Sequence, residues 1–185
     1  RQRQMCIRDS NIGGNWHTDH SYDQIPALGS MLYAKELPKV GGDTLFAGCA
    51  AAFDTLSEGI KSTLRSLRAV HSSRHVFGKS AAIPDDMADL FGNADKALQD
   101  AEHPVVIKHP LSGRETLYVN PGFTTRFVGW TEKESNSLLA FLYEHISRPE
   151  HTYRFQWSKG ALAFWDNRAT WHLAVNDYPG ETRLM

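Results

Sequence analysis

Two stretches of the sequence decide how this chain is interpreted: residues 16–19 (WHTD) and residues 165–172 (WDNRATWH). The first places His17 and Asp19 two residues apart, and the two-residue period of a β-strand turns both side chains to the same face. The second adds another imidazole, His172. If the strands that carry them pair, the three side chains meet at one point.

Two neutral imidazoles and one carboxylate on one face of a metal ion are the ligand set of non-heme Fe(II) oxygenases, which activate O2 at the open positions. The sequence therefore predicts that His17, Asp19 and His172 bind Fe(II) and form the catalytic centre. A His-x-Asp pair is a weak signal by itself, because it also occurs by chance and a histidine beside a tryptophan is often a packed ring with one hydrogen bond. The surrounding residues strengthen the prediction.

A hydroxyl and a guanidinium accompany the candidate ligands. Thr44 lies in residues 41–46 (GGDTLF), and Arg183 follows His172 by eleven residues, a spacing that a turn and a strand reversal can span. Arginine offers a two-pronged donor for a carboxylate. This pair is what a dicarboxylate co-substrate needs beside a metal.

At these positions the chain resembles the TauD/TfdA family of Fe(II)- and 2-oxoglutarate-dependent dioxygenases, and within it the taurine dioxygenase branch. The likeness runs from about residue 15 to residue 185. It includes further motifs in the family's order, namely residues 35–38 (KELP), 109–113 (HPLSG), 119–126 (VNPGFTTR) and 165–168 (WDNR). Several linked motifs are more specific than any one of them.

The resemblance assigns a role to each candidate residue. His17, Asp19 and His172 match the family's iron ligands, and Thr44 and Arg183 match its 2-oxoglutarate ligands. The substrate pocket is matched by four further residues. They are the apolar Phe77 and Phe123, and Gly13 and Val76, which replace an asparagine and a serine of taurine dioxygenase.

The resemblance implies that the protein hydroxylates a small anionic organic substrate, with Fe(II) as cofactor and 2-oxoglutarate and O2 as co-substrates. An organosulfonate, released as sulfite, is the first choice. An alkyl sulfate or an aryloxy carboxylate remains open, because polar substrate contacts are changed. A zinc hydrolase with the same ligands and a non-catalytic ligand-binding jelly roll also remain open, although Thr44 and Arg183 weigh against the hydrolase.

Short runs rich in Val, Ile, Tyr, Phe and Trp, bounded by Gly, Pro or Ser, predict strands. They cover residues 30–36, 104–109, 115–119, 152–157, 161–165 and 170–176, with hairpin connections at 110–114 and 159–160. We expect an α+β fold, mainly β: a double-stranded β-helix (jelly roll) with flanking helices, incomplete at both ends. Asp166 and Asn167 are equally typical of a turn and of residues that orient His172 from behind.

Two helical patterns interrupt the strands. One is marked by Leu56, Ile60, Leu64 and Leu67 at helical spacing. The other opens on a capping box at residues 131–134 (TEKE). Its apolar face is predicted to consist of Leu138, Phe141, Leu142 and His145.

Length and charge limit the other possibilities. The 185 residues, with a net charge of −1, predict one domain over residues 11–185, without nucleic acid or membrane as partner and with homo-oligomerisation left open. Two cysteines, Cys6 and Cys49, indicate a reducing cytoplasm. Residues 1–10 are basic, lack a Met at position 1 and are predicted to be non-native. The polar residues 72–98 are predicted to form a lid in preference to a disordered crossover.

Overall fold

The structure, a computed structural model, describes residues 13–77 and 100–185. Ten strands lie in these two ranges: β1 (Gly29–Tyr33), β2 (Thr44–Gly48), β3 (Arg68–Ser72), β4 (Asp100–Pro104), β5 (Val106–Lys108), β6 (Glu115–Leu117), β7 (Thr124–Phe127), β8 (Thr152–Phe155), β9 (Leu162–Asp166) and β10 (Thr170–Ala174). The α-helices there are α1 (Cys49–Asp54), α2 (Glu58–Arg65), α3 (Arg74–Phe77) and α4 (Glu132–Ile146). The predicted mainly β architecture with flanking helices is confirmed.

Two predicted segments fall largely outside the described ranges. Residues 1–10 lie outside the described ranges, and of the predicted lid, residues 72–98, only residues 72–77 are described. Both assignments therefore stay predictions. Within residues 13–77 and 100–185, no helix has the length and apolar character needed to cross a membrane.

The strands form four small antiparallel sheets in the described part of the chain. Two have three strands, in the orders β10-β2-β8 and β4-β3-β7, and two have two strands, β1-β9 and β5-β6. β1 pairs with β9, and β2 pairs with β10, although each pair is far apart in sequence. Segments from the two ends of the described chain are thereby brought side by side.

The two predicted hairpin connections have different outcomes. Residues 109–114 join β5 to β6, which pair with each other, and Gly113 adopts the positive φ of 72° that the turn requires. That prediction is confirmed. The prediction at residues 159–160 is wrong, because β8 pairs with β2 whereas β9 pairs with β1. The Gly160 amide instead donates to the carbonyl of Ala34 (2.8 Å), just beyond the end of β1.

Helix α4 begins with the predicted capping box. Thr131 Oγ1 accepts from the Glu134 amide (3.2 Å), and the Glu134 carboxylate accepts from the Thr131 amide (2.8 Å). The buried side of α4 differs in part from the prediction. Leu142 and His145 of the predicted face are buried, with Ser135, Leu139 and Ile146, whereas Phe141 lies beside this stripe and is 41% exposed.

The hydrophobic core lies beneath β10. Trp171 is 1% exposed, belongs to the main buried cluster and donates its indole N–H to the Val119 carbonyl (2.9 Å). Consecutive residues of a strand point to opposite faces. Because Trp171 is anchored in the core, its neighbour His172 is directed away from it, toward the predicted metal centre.

Candidate metal centre and co-substrate site

His17 and His172 are brought together by the backbone. They form an isolated antiparallel bridge, in which the His17 amide donates to the His172 carbonyl (3.1 Å) and the His172 amide donates back (2.8 Å). Residues that face each other across an antiparallel pair extend their side chains to the same side. Their ring centroids are accordingly 4.1 Å apart.

Asp19 completes the cluster. Its Oδ1 lies 3.6 Å from His17 Nε2 and 3.8 Å from His172 Nε2. One ligand atom from each of the three residues lies within 4.8 Å of the other two. Nitrogen and oxygen ligands lie about 2.0–2.2 Å from a transition-metal ion, so the two Asp19 distances suit a shared ion. The predicted strand is reduced to the bridge at His17, because a turn begins at Asp19.

The ring of His17 is oriented by the backbone behind it. Its Nδ1 lies 2.8 Å from the Asn15 carbonyl, which can only accept, so Nδ1 carries the proton. This tautomer leaves Nε2 bare and facing Asp19. A hydrogen bond behind the ring is how metal-binding histidines are usually held. The ring of His172 is packed by Trp165, with centroids 4.8 Å apart.

The charge states suit metal binding. Burial alone would raise the pKa of Asp19, but the neighbouring imidazoles of His17 and His172 and the hydrogen bond from Ser30 hold that pKa well below its usual range. Burial, together with the neighbouring His17, lowers the pKa of His172 to about 4. At neutral pH the site therefore presents an ionised carboxylate and a neutral imidazole, as metal ligation requires. These donors fit a divalent transition-metal ion.

Thr44 and Arg183 meet as a second buried pair. Arg183 Nη2 lies 3.3 Å from Thr44 Oγ1, and the two residues are 4% and 2% exposed. Burial lowers the pKa of Arg183, and its Nε has no hydrogen-bond partner among the described residues. A buried guanidinium with an unused donor is costly unless an anion binds it. The pair therefore fits the predicted carboxylate site.

Strand register places Thr44, the strand member of this pair, on the same face as the histidines. Thr44 is opposite Ala174 and Phe46 is opposite His172 in the β2-β10 ladder. Thr44 and His172 therefore point to one side, two residues apart along the strands, or roughly 7 Å. A short dicarboxylate can bridge such a gap.

Trp157 is a member of this site that sequence reasoning missed. Its indole nitrogen donates to Thr44 Oγ1 (3.0 Å), and the guanidinium of Arg183 lies 5.9 Å from the centre of its ring. Trp157 follows β8, which pairs with β2. The signal in the sequence would have been a strand at β2 that pairs with β8, because this pairing brings Trp157 close to Thr44.

Two of the four predicted pocket residues, Phe123 and Gly13, lie beside His17. The ring of Phe123 is 6.4 Å from that of His17, edge to face, and a Cβ on Gly13 would lie 3.5 Å from the His17 ring. Val76 lies in α3, beside His75, whose Nε2 donates to the Gly122 carbonyl (2.8 Å). The side chain of Phe77 is outside the described residues.

Tyr22 was not predicted. Its ring lies 4.8 Å from that of Phe123, and burial, with the charges of Asp23 and Asp19, raises its pKa to about 12. It therefore stays neutral and extends the apolar wall beside His17.

Comparison with known proteins agrees with this geometry. The family model described as "Taurine catabolism dioxygenase TauD, TfdA family" matches residues 6–185. The chain belongs to the TauD/TfdA family, and the predicted family membership is confirmed.

Several individual proteins are similar to the chain. An alkylsulfatase of Acinetobacter baylyi is 37% identical over 174 residues, covering 92% of this chain and 54% of that protein. An alpha-ketoglutarate-dependent sulfate ester dioxygenase of Pseudomonas putida is 37% identical over 175 residues, covering 92% and 57%. A crystal structure of a taurine dioxygenase from Burkholderia xenovorans matches with a TM-score of 0.79 and 34% identity, over 98% of this chain and 60% of that one. The chain thus spans about half the length of the curated relatives it matches.

Proposed function

We propose that this chain forms the catalytic domain of an Fe(II)- and 2-oxoglutarate-dependent dioxygenase that hydroxylates a small anionic organic substrate. One observation carries the proposal. The cluster of His17, Asp19 and His172 lies on the same sheet face as Thr44, which forms a buried pair with Arg183. A metal ligand set and a carboxylate site so arranged are what this reaction needs.

His17, Asp19 and His172 would hold Fe(II), which supplies O2 activation coupled to oxidative decarboxylation of 2-oxoglutarate to succinate and CO2. The protein residues do the positioning. Arg183 and Thr44 bind the far carboxylate of the co-substrate through charge-assisted hydrogen bonds. The rings of Phe123 and Tyr22 exclude water from the side next to His17.

We assign the fold to the double-stranded β-helix, or jelly roll. The antiparallel pairing of sequence-distant strands and the likeness to a solved taurine dioxygenase support this assignment. Such a fold explains how ligands from the two ends of the described chain meet, because strands remote in sequence become neighbours.

For the substrate, we propose an organosulfonate or an alkyl sulfate. Relatives at 37% identity are an alkylsulfatase and a sulfate ester dioxygenase, and Gly13 offers no side-chain donor beside His17. Hydroxylation of the carbon bonded to the sulfonate sulfur or the sulfate ester oxygen gives an unstable product. It collapses to an aldehyde and releases sulfite or sulfate, respectively.

The test is metal analysis combined with a turnover assay on the full-length protein. Succinate formation should require added Fe(II), 2-oxoglutarate and a substrate from a panel of sulfonates, sulfates and aryloxy carboxylates. A zinc-loaded protein that hydrolyses esters without 2-oxoglutarate would instead support a hydrolase. Protein that binds neither metal nor 2-oxoglutarate would overturn the proposal in favour of a non-catalytic binding module.

A further inference from the structure

Two side chains outside the predicted ligand set hold Asp19. Ser30 Oγ lies 2.5 Å from Asp19 Oδ2, and Asn167 Nδ2 lies 3.0 Å from Ser30 Oγ. Ser30 belongs to β1, and Asn167 lies in the turn that follows β9. These elements are adjacent because β1 pairs with β9. A relay of two hydrogen bonds therefore reaches Asp19 from a neighbouring sheet.

The chemistry of these groups fixes the direction of each hydrogen bond. An ionised carboxylate can only accept, so Ser30 gives its single hydroxyl proton to Asp19. The oxygen of Ser30 then accepts from the side-chain amide of Asn167. Nδ2 of Asn167 therefore faces Ser30, and Oδ1 does not.

Asn167 is itself fixed on two sides. It is 1% exposed. Its backbone carbonyl accepts from Thr18 Oγ1 (2.5 Å), and its backbone N–H donates to the Leu28 carbonyl (3.1 Å). The sequence allowed Asn167 to orient His172 from behind. The structure connects it through Ser30 to Asp19.

The two oxygens of Asp19 thus have different partners. Oδ1 is the oxygen that faces His17 Nε2 (3.6 Å) and His172 Nε2 (3.8 Å), whereas Oδ2 is held by Ser30. Carboxylates that bind metals use one oxygen or both. A hydrogen bond on Oδ2 favours binding through Oδ1 alone, because it draws Oδ2 away from the ion.

We propose that Ser30, oriented by Asn167, is a positioning residue that keeps Asp19 bound to the metal through Oδ1 alone. A second Asp19 oxygen on the metal would occupy a position that the co-substrates need. The hydroxyl of Ser30 therefore keeps the metal open to 2-oxoglutarate. The inference rests on the proposed metal site and adds a residue that was absent from the predicted site.

The experiment uses Co(II) in the full-length protein, because the visible absorption of bound Co(II) reports its coordination. Spectra and 2-oxoglutarate titrations are compared for the native protein, Ser30→Ala, Ser30→Thr and Ser135→Ala. Ser135 is the matched control. It is fully buried and bonds to the Phe127 amide (3.0 Å) and the Thr131 carbonyl (2.8 Å) at the start of α4.

Ser30→Ala should change the Co(II) bands toward a higher coordination number and weaken 2-oxoglutarate binding by roughly 10-fold, with Co(II) still bound. Ser30→Thr keeps a hydroxyl and should show the native Co(II) bands and the native 2-oxoglutarate affinity. Ser135→Ala should lower the melting temperature and leave both unchanged, because a purely structural loss does not alter the metal's ligands.

Two results would contradict the inference in different ways. If the native protein binds Co(II) and Ser30→Ala has the native spectrum and 2-oxoglutarate affinity, the positioning role is wrong and the metal site stands. If the native protein fails to bind Co(II), the proposed metal site is wrong, and the role of Ser30 falls with it.

Discussion

Gly122 lies so close to His17 that a Cβ at Gly122 would be 2.8 Å from the Cβ of His17. The same hypothetical atom would be 3.2 Å from Asn120 Oδ1, which accepts from the Phe123 amide (2.9 Å). Asn120 is fully buried and also donates to Ser21 Oγ (2.9 Å). The turn at residues 120–123 therefore forms a rigid support for His17.

Gly122→Ala should displace His17, because the atom it meets is attached to the backbone and cannot swing away. We expect a loss of about 1–3 kcal/mol in the free energy of unfolding from overpacking and a fall of roughly 10-fold or more in metal affinity. Urea denaturation and Co(II) titration measure the two effects. Gly59→Ala is the control, because no atom lies within 4 Å of its added methyl group; equal behaviour of the two variants would refute the close support of His17.

Arg183→Ala should weaken 2-oxoglutarate binding while leaving the metal in place. The lost hydrogen bonds are charge-assisted and buried, so we expect a cost of about 2–4 kcal/mol in the free energy of binding. The charge-transfer band of the Fe(II)–2-oxoglutarate complex provides the titration signal. Arg65→Ala serves as the control, since Arg65 forms an exposed ion pair with Glu115. An unchanged 2-oxoglutarate affinity in Arg183→Ala would remove Arg183 from the site.

Substrate length should matter more than a zwitterionic head group. The aromatic rings of Phe123 and Tyr22 form an apolar wall, and burial of each additional CH2 contributes roughly 0.8 kcal/mol. We expect a longer alkylsulfonate or alkyl sulfate to have a higher kcat/KM than taurine in the full-length protein. Succinate production across the panel measures this. A clear preference for taurine would mean that residues other than Gly13 and Val76 set the specificity.

His71 should make the protein less stable in acid. It is fully buried, and burial, with the nearby His103, lowers its pKa to about 3. The unfolded chain, with a histidine pKa near 6.5, binds the proton more readily. The contribution of neutral His71 to the free energy of unfolding is therefore complete above about pH 6.5. It is lost as the pH falls toward about 3, at up to about 1.4 kcal/mol per pH unit.

Urea denaturation of the metal-free protein between pH 7 and pH 4 measures that slope. His71→Gln should reduce it, because the buried imidazole no longer titrates. A slope that His71→Gln leaves intact would assign the acid sensitivity to other groups.

The sequence by itself determined the features that local chemistry encodes. The Thr131 capping box and the Gly113 turn follow from short-range preferences and appear where expected. The ligand types at His17, Asp19 and His172 and the family membership could also be read from motifs. By contrast, β3 (Arg68–Ser72) was missed because its sequence, RAVHS, lacks a clear apolar alternation, and α1 (Cys49–Asp54) because six residues are too few to show a helical period.

Only the tertiary structure decided which distant segments meet. The His17–His172 bridge, the indole of Trp157 on Thr44 and the Ser30 hydroxyl on Asp19 each join residues that belong to different elements. No local pattern specifies such pairs, because strand partners and register are set by the burial of whole sheet faces against the core. Sequence therefore predicted the candidate metal-binding groups, while packing of the sheets determined what holds them in place.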